Sequence, residues 1–176
     1  MELKPVAQRF ILHWGEMGSR WGVNRTVAQI HALLYLAGRP MHAEEIQETL
    51  GVARSNVSTS LKELQSWQLV SVVHQLGDRR DHFETSTDVW ELFKRIVEGR
   101  RQREVAPTLT VLRDCLMHPA LDGEDPGTEQ RIRETLDFIE TMNTWVDEML
   151  RLQPETLMKT LGVGAKLSRG LRRTKN

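Results

Sequence analysis

Residues 43–70 read AEEIQETLGVARSNVSTSLKELQSWQLV, and the spacing of their apolar residues decides the fold. Ala43, Ile46 and Leu50 mark one face of a short helix that ends at Gly51, and Val57, Leu61 and Leu64 mark the face of a second that begins a few residues later. A glycine between them lets the chain reverse in a left-handed conformation that residues with a Cβ resist. Ile46, Leu50, Gly51, Val52, Val57 and Leu61 thus stand where a helix-turn-helix needs its contacts. With Val57, Leu61 and Leu64 turned inward, Arg54, Ser55, Asn56, Ser58, Thr59 and Lys62 are left outward, and no acid interrupts that face before Glu63. Short polar and basic groups so arranged can approach base edges and phosphates in a major groove.

Downstream, Leu69 to Gln75 is rich in valine and reads as a strand, Gly77-Asp78 supplies turn chemistry, and His82 to Thr85 can return as a second strand. The hairpin would carry Asp78, Arg79, Arg80 and Asp81 at its tip. A strand pair directly after the second helix is the wing of a winged helix, and arginine at a wing tip suits a narrow, electronegative minor groove or its phosphates. Asp78 and Asp81 compete for the same guanidinium groups, so at least one of the two arginines is expected to pair within the chain.

Upstream, Val6, Phe10, Trp14, Met17 and Trp21 recur at spacings of four, four, three and four, which predicts an amphipathic helix burying that stripe. Asn24 to Ala37 is apolar over a wider arc and stops at Gly38, as a central core helix would. Asp88 with Glu91 has the spacing of a capping box, opening a helix through Leu92, Phe93 and Ile96 that Pro107 should kink or break. His118 to Gly127 is the clearest linker. From Thr128 to Leu152 the apolar residues form two seams: Ile132, Leu136, Ile139, Val146 and Leu150 on one, with Asn143 in a core slot, and Phe138, Met142, Trp145, Met149 and Leu152 on the other. A helix apolar on two sides has two neighbours. Pro154 should start a last short helix to Leu161, followed by a basic tail. The expected fold is mainly α with a small β-hairpin: an N-terminal dimerisation helix over 1–23, a winged helix-turn-helix over 24–87, a connecting helix with a Pro107 kink over 88–117, a linker over 118–127, C-terminal dimerisation helices over 128–162 and a basic tail over 163–176.

Lys plus Arg and Asp plus Glu balance at 24 each among 176 residues, so net charge does not advertise a polyanion partner. The first twelve residues do not read as a signal peptide, and no apolar run is long enough to span a bilayer. A single cysteine, Cys115, fits a reducing compartment, and the cytoplasm is the expected location, with no membrane partner. There is no Gly-rich phosphate loop, nucleophile elbow or HExxH, so neither an enzyme nor a cofactor is expected. His13 with Glu16 and His42 with Glu45 lack a nameable third ligand, so no metal site is expected; both read as surface pairs or cap substitutes. Cys115 beside Arg113 reads as a buried helical cysteine before it reads as a redox sensor.

The stretch 43–70, together with GDRRDHFETSTDVWELF at 77–93 and GSRWGVNRTVAQIHALLYLAG at 18–38, resembles the MarR-type winged-helix regulators, and within them the GbsR-like branch. The resemblance covers roughly residues 5–105. It implies a homodimer whose terminal helices form the interface, a recognition helix at about Arg54 to Ser66, and a wing carrying Arg79 and Arg80. Two residues depart from the pattern: Ala53 and His42 stand where a Ser or Thr usually caps a helix, and each lost cap would cost about 1 kcal/mol. The expected function is a ligand-responsive repressor binding a pseudo-palindromic double-stranded DNA operator. The rival is a winged-helix protein interaction module without DNA readout. The five tryptophans read first as core residues. Trp14, Trp21 and Trp90 lie in segments flanking the junction where this family places effectors, so they are also candidates to hold a quaternary ammonium such as choline against their aromatic faces.

Overall fold

The computed structural model describes residues 2–156. The chain divides into two units, 1–97 and 98–176. At the centre of the first lies α2 (Arg25–Ala37), whose Val27, Ile30, Leu33 and Leu34 are buried, as their wide apolar arc predicts. Asn24 Oδ1 caps its start by accepting from the Thr26 amide at 2.8 Å. Gly38 closes it with φ 58°.

Helix α1 (Pro5–Arg20) packs on α2, but not through the stripe its large side chains suggest. Val6 is 82% exposed and Trp21 64%, Phe10, Trp14 and Met17 are half-buried, and the buried residues are Ile11, Gly15 and Gly18. The glycines explain the rotation. A Cβ built on Gly15 would stand 2.7 Å from Gln29 Cγ, and one on Gly18 2.6 Å from Ala28 Cβ. The helices meet where side chains are missing, and a periodicity weighted by large apolar residues does not see that contact.

The helix-turn-helix forms as expected from α3 (Ala43–Leu50) and α4 (Arg54–Ser66), with Gly51 at φ 63° between them. Ile46, Val57, Leu61 and Leu64 complete the core around α2. The hairpin is β2 (Ser71–Val73) and β3 (His82–Glu84), shorter than the Leu69–Gln75 and His82–Thr85 of the sequence reading. A third strand, β1 (Met41–His42), was not foreseen; two residues are too few to show alternation. The antiparallel order is β1-β3-β2, with His42 opposite His82 and Val73 opposite His82 on the other side.

Helix α5 (Val89–Arg100) opens on Asp88, whose Oδ1 accepts from the Trp90 and Glu91 amides at 2.8 and 3.2 Å. Only half of the capping box exists. Glu91 is held by Ser86 and Arg95, and the Asp88 amide donates to Ser86 Oγ instead. Pro107 does not break the helical run. Five residues, Arg101–Val105, form a π-turn just before Pro107, which stands at the start of α6 (Ala106–Leu116), and the widened turn accommodates its ring and missing N–H within the run.

In the second unit α7 (Pro126–Arg151) begins two residues before Thr128, taking up the end of the linker, within which Leu121–Gly123 is a short 3-10 turn. Leu109 of α6 and Leu136 of α7 are buried where the two helices pack, and Ile132, Ile139, Val146 and Leu150 are half-buried along the same seam. Asn143 accepts from Arg101 Nε at 2.8 Å, and Arg101 also donates to Asp147 at 2.9 Å and Glu98 at 3.0 Å. The second seam is open over its first part, where Phe138 is 66% exposed, Met142 43% and Trp145 52%, while Met149 and Leu152 are half-buried. The basic tail and most of the helix expected from Pro154 lie outside the described residues. No helix among the described residues is long and apolar enough to cross a membrane.

Candidate nucleic-acid interface

Helix α4 separates its two faces cleanly. Val57, Ser60, Leu61 and Leu64 are buried, and Arg54, Ser55, Asn56, Ser58, Thr59 and Lys62 are all exposed. Among the described residues Ser55, Asn56, Ser58, Thr59 and Lys62 make no side-chain hydrogen bond or ion pair, and Arg54 only approaches Glu44, at 3.9 Å. Donors and acceptors left unpaired on one face of a rigid helix can be matched to base edges without first breaking internal bonds. Ala53 makes no side-chain cap, as its methyl group requires. His42, the other departure, is itself a cap: its Nδ1 accepts from the Glu45 amide at 3.2 Å.

The wing treats its two arginines differently. Arg79 is exposed and unpaired among the described residues. Arg80 grips Asp78 with Nη2 on Oδ2 at 2.6 Å and Nε on Oδ1 at 3.0 Å, and its own amide donates to Asp78 Oδ1 at 2.9 Å. Bonding from Arg80 holds the Asp78 carboxyl well below the usual carboxylate range, and Asp78 in turn raises the Arg80 guanidinium. The expected internal pairing therefore falls on Arg80 with Asp78. Asp81 faces His74 at 3.7 Å instead.

The tryptophans divide. Trp14, stacked on Phe10 at 5.3 Å, and Trp67 pack against the core, whereas Trp21 and Trp145 are exposed, so core packing does not account for all five. Trp90 stacks on Phe93 at 5.2 Å with the Lys94 ammonium 5.6 Å from its ring centre, and its buried Nε1 has no hydrogen-bond partner among the described residues. His13 and Glu16 line an open hollow of about 750 Å³ along the outer face of α1. Among the described residues no three His, Cys, Asp or Glu side chains gather as a metal site would need. Cys115 is half-buried, and its neighbour Arg113 is engaged by Glu140 at 2.6 Å. What the sequence reading did not single out is the contact of His42 with Arg80, which come together only when a strand and a turn 38 residues apart in sequence are paired.

Residues 21–81 match the model of the MarR family. The chain is 23% identical over 136 residues to the HTH-type transcriptional repressor GbsR of Bacillus subtilis, covering 75% of each chain. It is 21% identical over 139 residues to the HTH-type transcriptional repressor OpcR of the same organism, covering 75% of this chain and 74% of the relative. Among solved structures, a transcriptional regulator shares the fold with a TM-score of 0.69 at 21% identity, covering 83% of this chain and 96% of that one.

Proposed function

We propose that residues 21–81, which match the model of the MarR family, are the winged helix-turn-helix of a DNA-binding transcriptional regulator, and that the chain acts in the cytoplasm as a homodimer on a pseudo-palindromic operator, as a ligand-responsive repressor. The observation that carries the reading is the outer face of α4, where polar and basic side chains are exposed and unpaired above a fully buried inner face. Asn56, Ser55, Thr59 and Lys62 read or brace the major groove, flanked by Arg54 and Ser58. Arg79 is the wing's reaching cation, placed on the minor groove or its phosphates. Arg80 adds to the positive field there, held by Asp78 while DNA is absent. Repression as the sign of regulation is supported by two relatives that are named repressors. The effector is a quaternary ammonium held by Trp14, Trp21 and Trp90; the support is that the face of the Trp90 ring already attracts a cation, the Lys94 ammonium, which the effector would displace.

Selection of bound fragments from random duplex DNA, followed by titration at several salt concentrations, tests this. Affinity should fall steeply with salt. Asn56→Ala should relax specificity at one base pair by about 1–3 kcal/mol, and Arg79→Ala should weaken all sequences and reduce the salt slope by about one. If no fragment is enriched, or a double variant carrying both Asn56→Ala and Arg79→Ala binds like the parent, α4 and the wing do not read DNA and the winged helix is a protein-docking module.

A further inference from the structure

His42 joins the helix-turn-helix to the wing. Its Nδ1 lies 3.2 Å from the Glu45 amide that it caps and 3.1 Å from Glu44 Oε2, while its Nε2 lies 3.1 Å from Arg80 Nη1. Across the β1–β3 pair its ring meets that of His82 edge-on at 5.6 Å. His82 is buried, with Nδ1 3.1 Å from the Arg80 carbonyl and Nε2 3.6 Å from Asp78 Oδ2. The charged groups around His42 are thus Glu44, with Arg54 beyond it, and Glu45, held by Arg39, on the helix side; on the wing side they are Arg80 and Asp78, with His82 between.

These contacts cannot all be satisfied by one placement of protons. A guanidinium only donates, so the Arg80 contact needs a bare Nε2. A backbone amide also only donates, so the cap needs a bare Nδ1. A neutral imidazole has one bare nitrogen. With the proton on Nε2, α3 is capped and Arg80 has no acceptor on the ring. With the proton on Nδ1, the ring donates to Glu44 and accepts from Arg80, and the cap is lost. With both protonated, the Glu44 bond remains, cap and Arg80 contact both go, and a positive ring faces a positive guanidinium.

We infer that His42 is a positioning residue whose proton decides whether the wing is latched to the N-terminus of α3. Asp78 holds Arg80 from the other side and the β1–β3 pairing still joins the strands, so loss of the latch releases only the Arg80 end of the wing from α3, without dismantling its tip. The consequence for DNA rests on the reading above: with the latch closed the wing tip that carries Arg79 is tied by a side chain as well as by the strand pair, and with it open by the strand pair alone.

The test has two arms on the full chain. Nitrogen NMR of the His42 ring should show both neutral tautomers, one for each of the two competing contacts. Arg80→Gln should shift the neutral ring to the capping form, with the proton on Nε2. In the second arm, the ratio of affinities for a selected operator fragment and a scrambled duplex should fall about fivefold on acidification from about pH 8 to about pH 5, the interval in which histidines in general change charge, a modest coupling. His42→Asn, which keeps an acceptor for the Glu45 amide and does not titrate, should flatten that profile. A ring tautomer indifferent to Arg80→Gln, or a parental pH profile in His42→Asn, would overturn the latch. Failure to select any fragment would overturn the DNA reading alone, and the ring tautomer would still decide the latch.

Discussion

His31 sits on α2 inside the core, and its environment fixes its proton. Thr85 donates its hydroxyl to the Leu69 carbonyl at 2.7 Å, so the 3.3 Å contact with His31 runs the other way: Nε2–H donates to Thr85 Oγ1. Burial pushes the imidazole down from 6.5 to about 4. The folded chain therefore keeps His31 neutral while the unfolded chain takes up a proton. Its contribution is intact above pH 6.5, is lost as pH falls from there to about 4, and is fully gone below. That shift corresponds to about 3 kcal/mol. His31→Gln, which keeps a donor for Thr85 without titrating, should flatten the acid side of a denaturant-derived stability curve by about that amount; identical curves for the two proteins would exclude it. Neighbouring residues can look alike in sequence and differ in the fold, as the wing shows. Arg79 and Arg80 both flank aspartates, and only the turn that brings the Asp78 carboxylate onto the Arg80 amide and guanidinium separates the anchored arginine from the free one. The six outward residues of α4, by contrast, were legible beforehand, because the helical period alone sets which side chains oppose Val57, Leu61 and Leu64.

Elements were legible where their ends carry chemistry. Asn24 and Gly38 bound α2, Gly51 turns the helix-turn-helix, and Asp88 opens α5, each by a local hydrogen bond or a left-handed backbone that sequence spells out. The buried face of α1 was not, because Gly15 and Gly18 contribute nothing to a hydrophobic pattern and everything to the distance of approach. The π-turn before Pro107 was hidden for a related reason: a helix can widen to accommodate a proline, so the residue marks a disturbance and does not specify its form. The α1–α2 contact yields a prediction opposed to helix propensity. Gly18→Ala would gain about 1 kcal/mol as an isolated helix residue. In the fold its methyl would stand 2.6 Å from Ala28 Cβ, a stub with no rotamer to yield, so α1 must move. Overpacking of this kind costs about 1–3 kcal/mol, and the variant should melt below the parent. Gly22→Ala, with open space around it but φ 78°, should also destabilise, through backbone strain instead of a clash. A Gly18→Ala protein more stable than the parent would show that the helices do not touch there.

For the whole molecule the two seams of α7 have different fates, and the difference bears on assembly. One seam is spent within the chain: Leu136 is buried, and Asn143 is bonded to Arg101 of the adjoining π-turn. The other leaves Phe138, Met142 and Trp145 in solvent, a contiguous helical stripe at spacings of four and three. Each such side chain would contribute about 1.5–3 kcal/mol if buried, so a self-complementary partner has much to gain by covering the stripe. Two-fold pairing through it would give the assembly two recognition helices, as a pseudo-palindromic operator with half-sites one turn of DNA apart requires. Substitutions on the two seams should therefore separate folding from assembly. Trp145→Arg puts a charge where the second copy would sit; it should leave circular dichroism and melting of the chain little changed, halve the mass by light scattering, and lower operator affinity by about 100-fold as the second half-site is lost. Leu136→Ala, on the spent seam, should instead lower the melting temperature by removing packing within the chain, at a cost of about 2–5 kcal/mol. A Trp145→Arg chain that keeps the parent's mass would place the dimer interface elsewhere, and α1, with Val6 and Leu12 exposed on its outer face, would be the next surface to charge.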